Sequence, residues 1–80
     1  MNFDQVLEAM NRIFVDVLGD PAIALTRATT ARDIADWDSL THMELVVAIE
    51  KRFGIKFSLP EVQHLANVGE MADLIVKKTA

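Results

Sequence analysis

The chain has no cysteine. That excludes a disulfide scaffold, a thiolate zinc site, an iron–sulfur cluster and a cysteine nucleophile. It has only two histidines, His42 and His64, too few to close a tetrahedral zinc site by themselves. Long apolar runs are also missing. The longest, Leu45 to Ile49, falls far short of the roughly 20 residues a membrane span requires, so no span is expected. Positive charge is scarce: 8 Lys and Arg stand against 12 Asp and Glu, a net charge of −4. Such a chain suits basic partners and is a poor match for a nucleic-acid backbone. The start, Met1-Asn2-Phe3-Asp4, lacks the basic lead and apolar core of a secretory signal, which points to the cytoplasm.

Apolar residues make up 51% of the 80, above the range of disordered chains, so one packed domain over residues 1–80 is expected. Its pattern is helical. Phe3, Val6, Leu7, Met10, Ile13, Phe14, Val17 and Leu18 recur at steps of three and four, the spacing of one helix face. Asn2 with Gln5 suits a capping box, Gly19 suits a left-handed stop, and Pro21 bars continuation. The stretch from Asp20 to Asp38 has weak periodicity and is long for a connection in a small domain. Ile23, Leu25, Ile34 and Trp37 are the residues that would pin it down, with one short turn at Thr30 to Asp33. A second helix is expected from Asp38-Ser39 to Phe53, stopped by Gly54. Ser58-Leu59-Pro60-Glu61 opens a short third helix through Leu65, with His64 on its surface. Asn67 and Glu70 suggest a second box, opening a fourth helix whose last turn holds Lys77 and Lys78. The fold class is all-α, a four-helix bundle of three longer helices and one short one.

The second helix carries two apolar stripes. At about 100° per residue, Leu45, Val46, Ile49 and Phe53 share an arc of roughly 100°. Leu40, Met43 and Val47 gather on the opposite side, rimmed by Glu44 and Glu50. A domain this small buries one stripe, and the larger is assigned to the core. The other is then an exposed apolar patch with a charged rim, the mark of an interaction surface. Trp37 is expected to anchor the loop, Met10 and Met71 to fill the core, and Arg27 and Arg32 to be solvated.

Ser39 stands where the long loop meets this helix. Its hydroxyl has two readings: a cap for an orphan N–H, or an accessible group at the positive end of a helix dipole, where an esterified phosphate is favoured. A hydrolase site built on Ser39, His42 and Asp36 or Asp38 is disfavoured. A small bundle offers little cleft and no readable oxyanion hole, and His42 falls near the core side of the wheel, as a partly buried, hydrogen-bonded residue.

The stretch from Trp37 to Ile55 resembles the second helix of acyl carrier proteins. The features that carry it are Asp38-Ser39-Leu40, Glu44-Leu45-Val46 and Phe53-Gly54. The likeness extends along nearly the whole chain, from the amphipathic first helix to the amphipathic fourth. It implies a stand-alone carrier that is not an enzyme. Ser39 would bear 4′-phosphopantetheine taken from coenzyme A by a phosphopantetheinyl transferase, and Asp38 and Leu40 would flank the attachment site. The arm ends in a thiol, so the cofactor supplies the sulfur the chain lacks and holds acyl groups as thioesters. The same resemblance makes Leu40, Met43, Glu44, Val47 and Glu50 the surface for partner enzymes of acyltransferase, ketosynthase or acyl-activating type. Phe57, Val62 and Leu65 would contact the arm or its cargo, and the protein would act as a monomer.

Three departures point to a specialised pathway, such as polyketide synthesis, over the housekeeping fatty-acid pool. They are the Asp36-Trp37 lead-in, the Lys51-Arg52 pair after Glu50, and the weakly acidic stretch Ser58 to His64. The Gly-Gly-x-Ser lead-in of peptidyl carriers is absent, which makes a peptidyl or aminoacyl carrier the lesser alternative. An unmodified helical interaction module is the other.

Overall fold

The computed structural model describes residues 1–63 and 65–80, so the expectation for His64 lies outside the described residues. Among the described residues four helices follow in order: α1 (Phe3–Leu18), α2 (Ser39–Phe53), α3 (Leu59–Gln63) and α4 (Val68–Lys78). The signals that bound α1 act as the sequence suggests. Asn2 accepts from the Gln5 N–H while the Gln5 side chain accepts from the Asn2 N–H, and Gly19 adopts φ 68°. Gly54 ends α2 in the same left-handed conformation at φ 65°, a backbone position that side chains with a Cβ strain to reach.

α1 packs on both α2 and α4. Val6, Met10 and Phe14 from α1 meet Leu45 and Ile49 from α2 and Val68, Met71 and Ile75 from α4, all fully buried. Phe53 is half-buried against this cluster. Each large side chain so enclosed stabilises the fold by about 1.5–3 kcal/mol through removal from water.

The long loop is a strap laid over the core. Ile23, Leu25 and Trp37 are buried, Ile34 packs beside them, and the turn at Thr30 to Asp33 forms. Asn11 of α1 holds the strap with its side-chain amide, donating to the Ile23 carbonyl at 3.1 Å and accepting from the Leu25 N–H at 2.7 Å. The strap in turn serves α4. The Val68 and Gly69 N–H groups, orphans of a first helical turn, donate to the Thr29 and Arg27 carbonyls at 2.8 and 2.9 Å.

Two local expectations need correction. α3 ends at Gln63 among the described residues, and Leu65 lies beyond it, because the chain there is already turning into the α4 cap. That cap is not a closed box: Asn67 accepts from the Glu70 N–H, but the Glu70 carboxylate accepts from the N–H of Ala66, one residue early. Arg27 is exposed as expected and also makes two contacts. Its guanidinium lies 3.9 Å over the Phe3 ring and 3.0 Å from the Asp73 carboxylate, so it ties the strap to both α1 and α4.

Candidate functional site

The start of α2 is capped by Asp38, without the Ser39 side chain. Its carboxylate accepts from the Leu40 and Thr41 N–H groups, both at 3.0 Å. The Thr41 hydroxyl completes the box by accepting from the Asp38 N–H at 2.8 Å, and it donates onward to the Asp36 carbonyl at 2.7 Å. The Thr41 N–H, chiefly, holds the Asp38 carboxyl below its ordinary value of 3.8, with the Leu40 N–H and the Thr41 hydroxyl adding to it. A carboxylate at a helix N-terminus also opposes the positive end of the dipole.

The consequence falls on Ser39. It is the first residue of the helix and is exposed. With Asp38 capping, no hydrogen bond among the described residues engages its hydroxyl. The group is therefore accessible and uncommitted at the end of a helix, and the capping reading of Ser39 falls away.

Beside it opens a cleft of about 530 Å³ between the start of α2 and the α3 region. Ser39, His42 and Met43 form one wall, Leu59, Val62 and Leu65 the other, and Trp37 also lines it. The lining is mostly apolar, suited to a flexible arm and an acyl group. Val62 and Leu65 lie where the resemblance implies. Phe57 does not line the cleft: it packs against the core with the Lys78 ammonium 5.9 Å from its ring.

Trp37 and His42 form a unit within this wall. The indole N–H donates to His42 Nδ1 at 3.1 Å, and the two rings stack with centroids 6.0 Å apart. On its other side Trp37 meets Phe14 edge-on, with centroids 5.0 Å apart. The indole thus links the core to the mouth of the cleft.

The patch on α2 is exposed as its spacing predicts. Leu40 is 73% accessible, Met43 47% and Val47 45%, against 0% for Leu45 and Ile49 on the opposite face. Glu44 is exposed beside it. Glu50 is half-buried, and its carboxylate accepts from the Phe57 N–H at 2.8 Å; it braces the α2–α3 connection. Leu59, 64% accessible, extends the apolar surface across the cleft. Sequence reasoning treats it only as part of a capping pattern, although an apolar residue in the first turn of so short a helix was the available signal. Thr41 is a second residue missed; its spacing from Asp38 mirrors a capping box with the residue types exchanged.

No group of His, Asp and Glu among the described residues has the geometry of a metal site. No helix among them is long and apolar enough to cross a membrane.

Comparison with known proteins agrees with this geometry. The family model described as "Phosphopantetheine attachment site" matches residues 8–75. The acyl carrier protein of Thermosynechococcus vestitus is 35% identical over 100% of this chain and 99% of its own length. That of Acidothermus cellulolyticus is 33% identical over 95% of this chain and 90% of its own. Among solved structures, the solution NMR structure of a holo acyl carrier protein from Geobacter metallireducens superposes with a TM-score of 0.86. It is 52% identical and covers 91% of this chain and 84% of that one. The residues present fit the prosthetic group these proteins share: a free hydroxyl on a helix N-terminus, with an apolar cleft beside it and no thiol in the chain. The chain belongs to the acyl carrier proteins, carriers and not enzymes, whose prosthetic group is 4′-phosphopantetheine.

Proposed function

We propose that Ser39 is the attachment residue and that this carrier serves a specialised pathway, such as polyketide or other secondary metabolism, over the central fatty-acid pool. The observation that carries the first part is the division of labour at the start of α2: Asp38 caps, and Ser39 is left exposed with its hydroxyl unengaged. When bound, the prosthetic group supplies a terminal thiol that holds acyl groups as thioesters. The chain's own residues supply position. Asp38 and Thr41 fix the backbone that presents Ser39 to a phosphopantetheinyl transferase. Met43, Leu59, Val62 and Leu65 offer the arm and its cargo an apolar wall.

Leu40, Met43 and Val47 form the docking patch for partner enzymes, with Glu44 at its edge for their basic groups. Glu50 contributes from within, by holding the connector. The basic pair Lys51 and Arg52, exposed at the end of α2, supports the specialised pathway. It weakens the acidic field that would steer a strongly basic partner. A monomer acting in the cytoplasm, with Phe57 supporting the wall of the cleft through the core, completes the reading.

Intact mass after incubation with coenzyme A, Mg²⁺ and a broad-specificity transferase tests the attachment. The wild-type chain gains one phosphopantetheine and Ser39→Ala gains none. A gain by Ser39→Ala, or none by either, overturns it.

A further inference from the structure

We propose that His42 binds the phosphodiester of the arm through its Nε2–H, with Trp37 as the positioning residue that fixes the ring for this task. The proposal rests on the reading of Ser39 as the attachment point.

Three observations meet here. His42 follows Ser39 by three residues, so the two side chains share a helix face, and both line the same cleft. Helical side chains also lean toward the N-terminus of their helix, which brings the imidazole toward the turn that starts with Ser39. The second observation is the Trp37 bond. An indole N–H is only a donor, so Nδ1 of His42 must be the acceptor and the ring proton of the neutral imidazole sits on Nε2. Nε2–H is therefore a donor of fixed tautomer. No hydrogen bond among the described residues uses it. The third is rigidity. Trp37 is buried and held edge-on by Phe14, so the imidazole is aimed by a side chain that is itself locked into the core.

A phosphodiester on Ser39 carries a full negative charge and acceptor oxygens next to the first helical turn. The Leu40 and Thr41 N–H groups already belong to Asp38, so the first turn has two fewer donors to offer an anion. The Asp38 carboxylate moreover places a like charge nearby. A side-chain donor on a residue that lines the cleft fills this gap, and a hydrogen bond to an ionised acceptor is among the stronger kinds. The base of the arm would then lie along the His42–Met43 wall, directing the rest into the cleft and away from solvent.

The test uses the full chain labelled with ¹⁵N-histidine, before and after loading with phosphopantetheine and verified by intact mass. Long-range ¹H–¹⁵N spectra report the tautomer of each ring, and ³¹P spectra report the phosphodiester. In the wild type the Nε2–H form is expected in both states, and on loading its proton should exchange with water about tenfold more slowly. Trp37→Phe keeps an aromatic ring but frees Nδ1; in its loaded form it should show mixed tautomers and lose that protection. In His42→Phe the ³¹P resonance should move from its wild-type position, and in His42→Gln, which keeps an N–H donor, it should return toward it. Absence of any mass gain at Ser39 brings down the attachment reading and this proposal together. A normal mass gain with equal Nε2–H exchange in the apo and loaded wild type overturns this proposal alone, and does so without any variant having to fold.

Discussion

Gly69 of α4 lies so close to Arg27 of the strap that no side chain fits between them. A Cβ on Gly69 would fall 2.5 Å from Arg27 Cγ and 2.7 Å from the Arg27 carbonyl oxygen. That same carbonyl accepts the Gly69 N–H at 2.9 Å. The glycine is needed here for close approach and not for backbone conformation.

Gly69→Ala should therefore destabilise the domain. The flexible Arg27 side chain can shift, but the carbonyl can move only by breaking its hydrogen bond and lifting the strap. Overpacking of this kind costs about 1–3 kcal/mol. Urea denaturation followed by circular dichroism measures it. Arg27→Ala removes the side-chain half of the conflict, so Arg27→Ala with Gly69→Ala should lose less than the sum of the two single losses.

This contact also marks where sequence reading stops. The helix ends are legible because each depends on residues within four positions: Asn2 with Gln5, Gly19 after Leu18, Gly54 after Phe53. The two stripes of α2 are legible because helical spacing sorts Leu45 and Ile49 from Leu40 and Val47 before any partner helix is known. Arg27 reaching Phe3 and Asp73, or Asn11 clasping the strap at Ile23 and Leu25, joins residues distant in the chain, and no local pattern announces them. At the candidate site Ser39 is legible from its motif. Asp38 relieves it of capping through Thr41, and that depends on which of two adjacent oxygens meets the helix N–H groups, a choice only geometry decides. Resemblance alone places Phe57 against the arm, but its ring packs on the core beside Lys78.

Acid should loosen the start of α2 only below the ordinary titration range of an aspartate. The Asp38 carboxyl is held below 3.8 in the folded chain, chiefly by the Thr41 N–H. A lowered folded value means a stabilising contribution that is complete above the unfolded value and lost as pH falls through the folded one. The Leu40 and Thr41 amide resonances should thus keep their capped positions as pH falls to the ordinary value of the carboxyl and shift only below it. Glu61 should behave alike: the Ser58 N–H, then Lys78, holds its carboxyl below 4.5. Asp38→Asn, which keeps an oxygen acceptor but no charge, should flatten the first titration and leave that of Glu61 unchanged. Amide shifts titrating near 3.8 or above would count against the cap.

Glu50 should act as a brace for the connector. Its carboxylate accepts the Phe57 N–H at 2.8 Å in a partly buried setting. Glu50→Ala leaves that donor without its partner and should cost about 1–3 kcal/mol. The loss should be local: the Phe57 amide should exchange with deuterium faster, while the amides of α1 keep their order. Glu50→Gln retains a side-chain acceptor and should restore most of the protection. If Glu50→Ala instead weakened partner binding with Phe57 exchange unchanged, the residue would belong to the docking surface and not to the brace.

The opposed faces of α2 make the sharpest contrast between folding and docking. Val47 is 45% accessible and Ile49, two residues away, is fully buried. A carboxylate at position 49 would have to lie unpaired among Met10, Phe14 and Ile75 of the same core cluster. Burying such a charge is costly enough that Ile49→Asp should lose more than about 4 kcal/mol, a large part of the stability of a domain this size. Its helical circular dichroism should collapse or become strongly salt- and pH-dependent. At position 47 the same carboxylate stays in water, and the stability change should stay within about 0.5 kcal/mol. Val47→Asp should still gain phosphopantetheine, because it lies away from Ser39 and the cleft. What it should lose is affinity for an acyl-transferring partner, since the patch of Leu40, Met43 and Val47 would then hold a charge at its centre. Equal loss of helical signal in both variants would mean that α2 buries both stripes, and the exposed patch would no longer be available for docking.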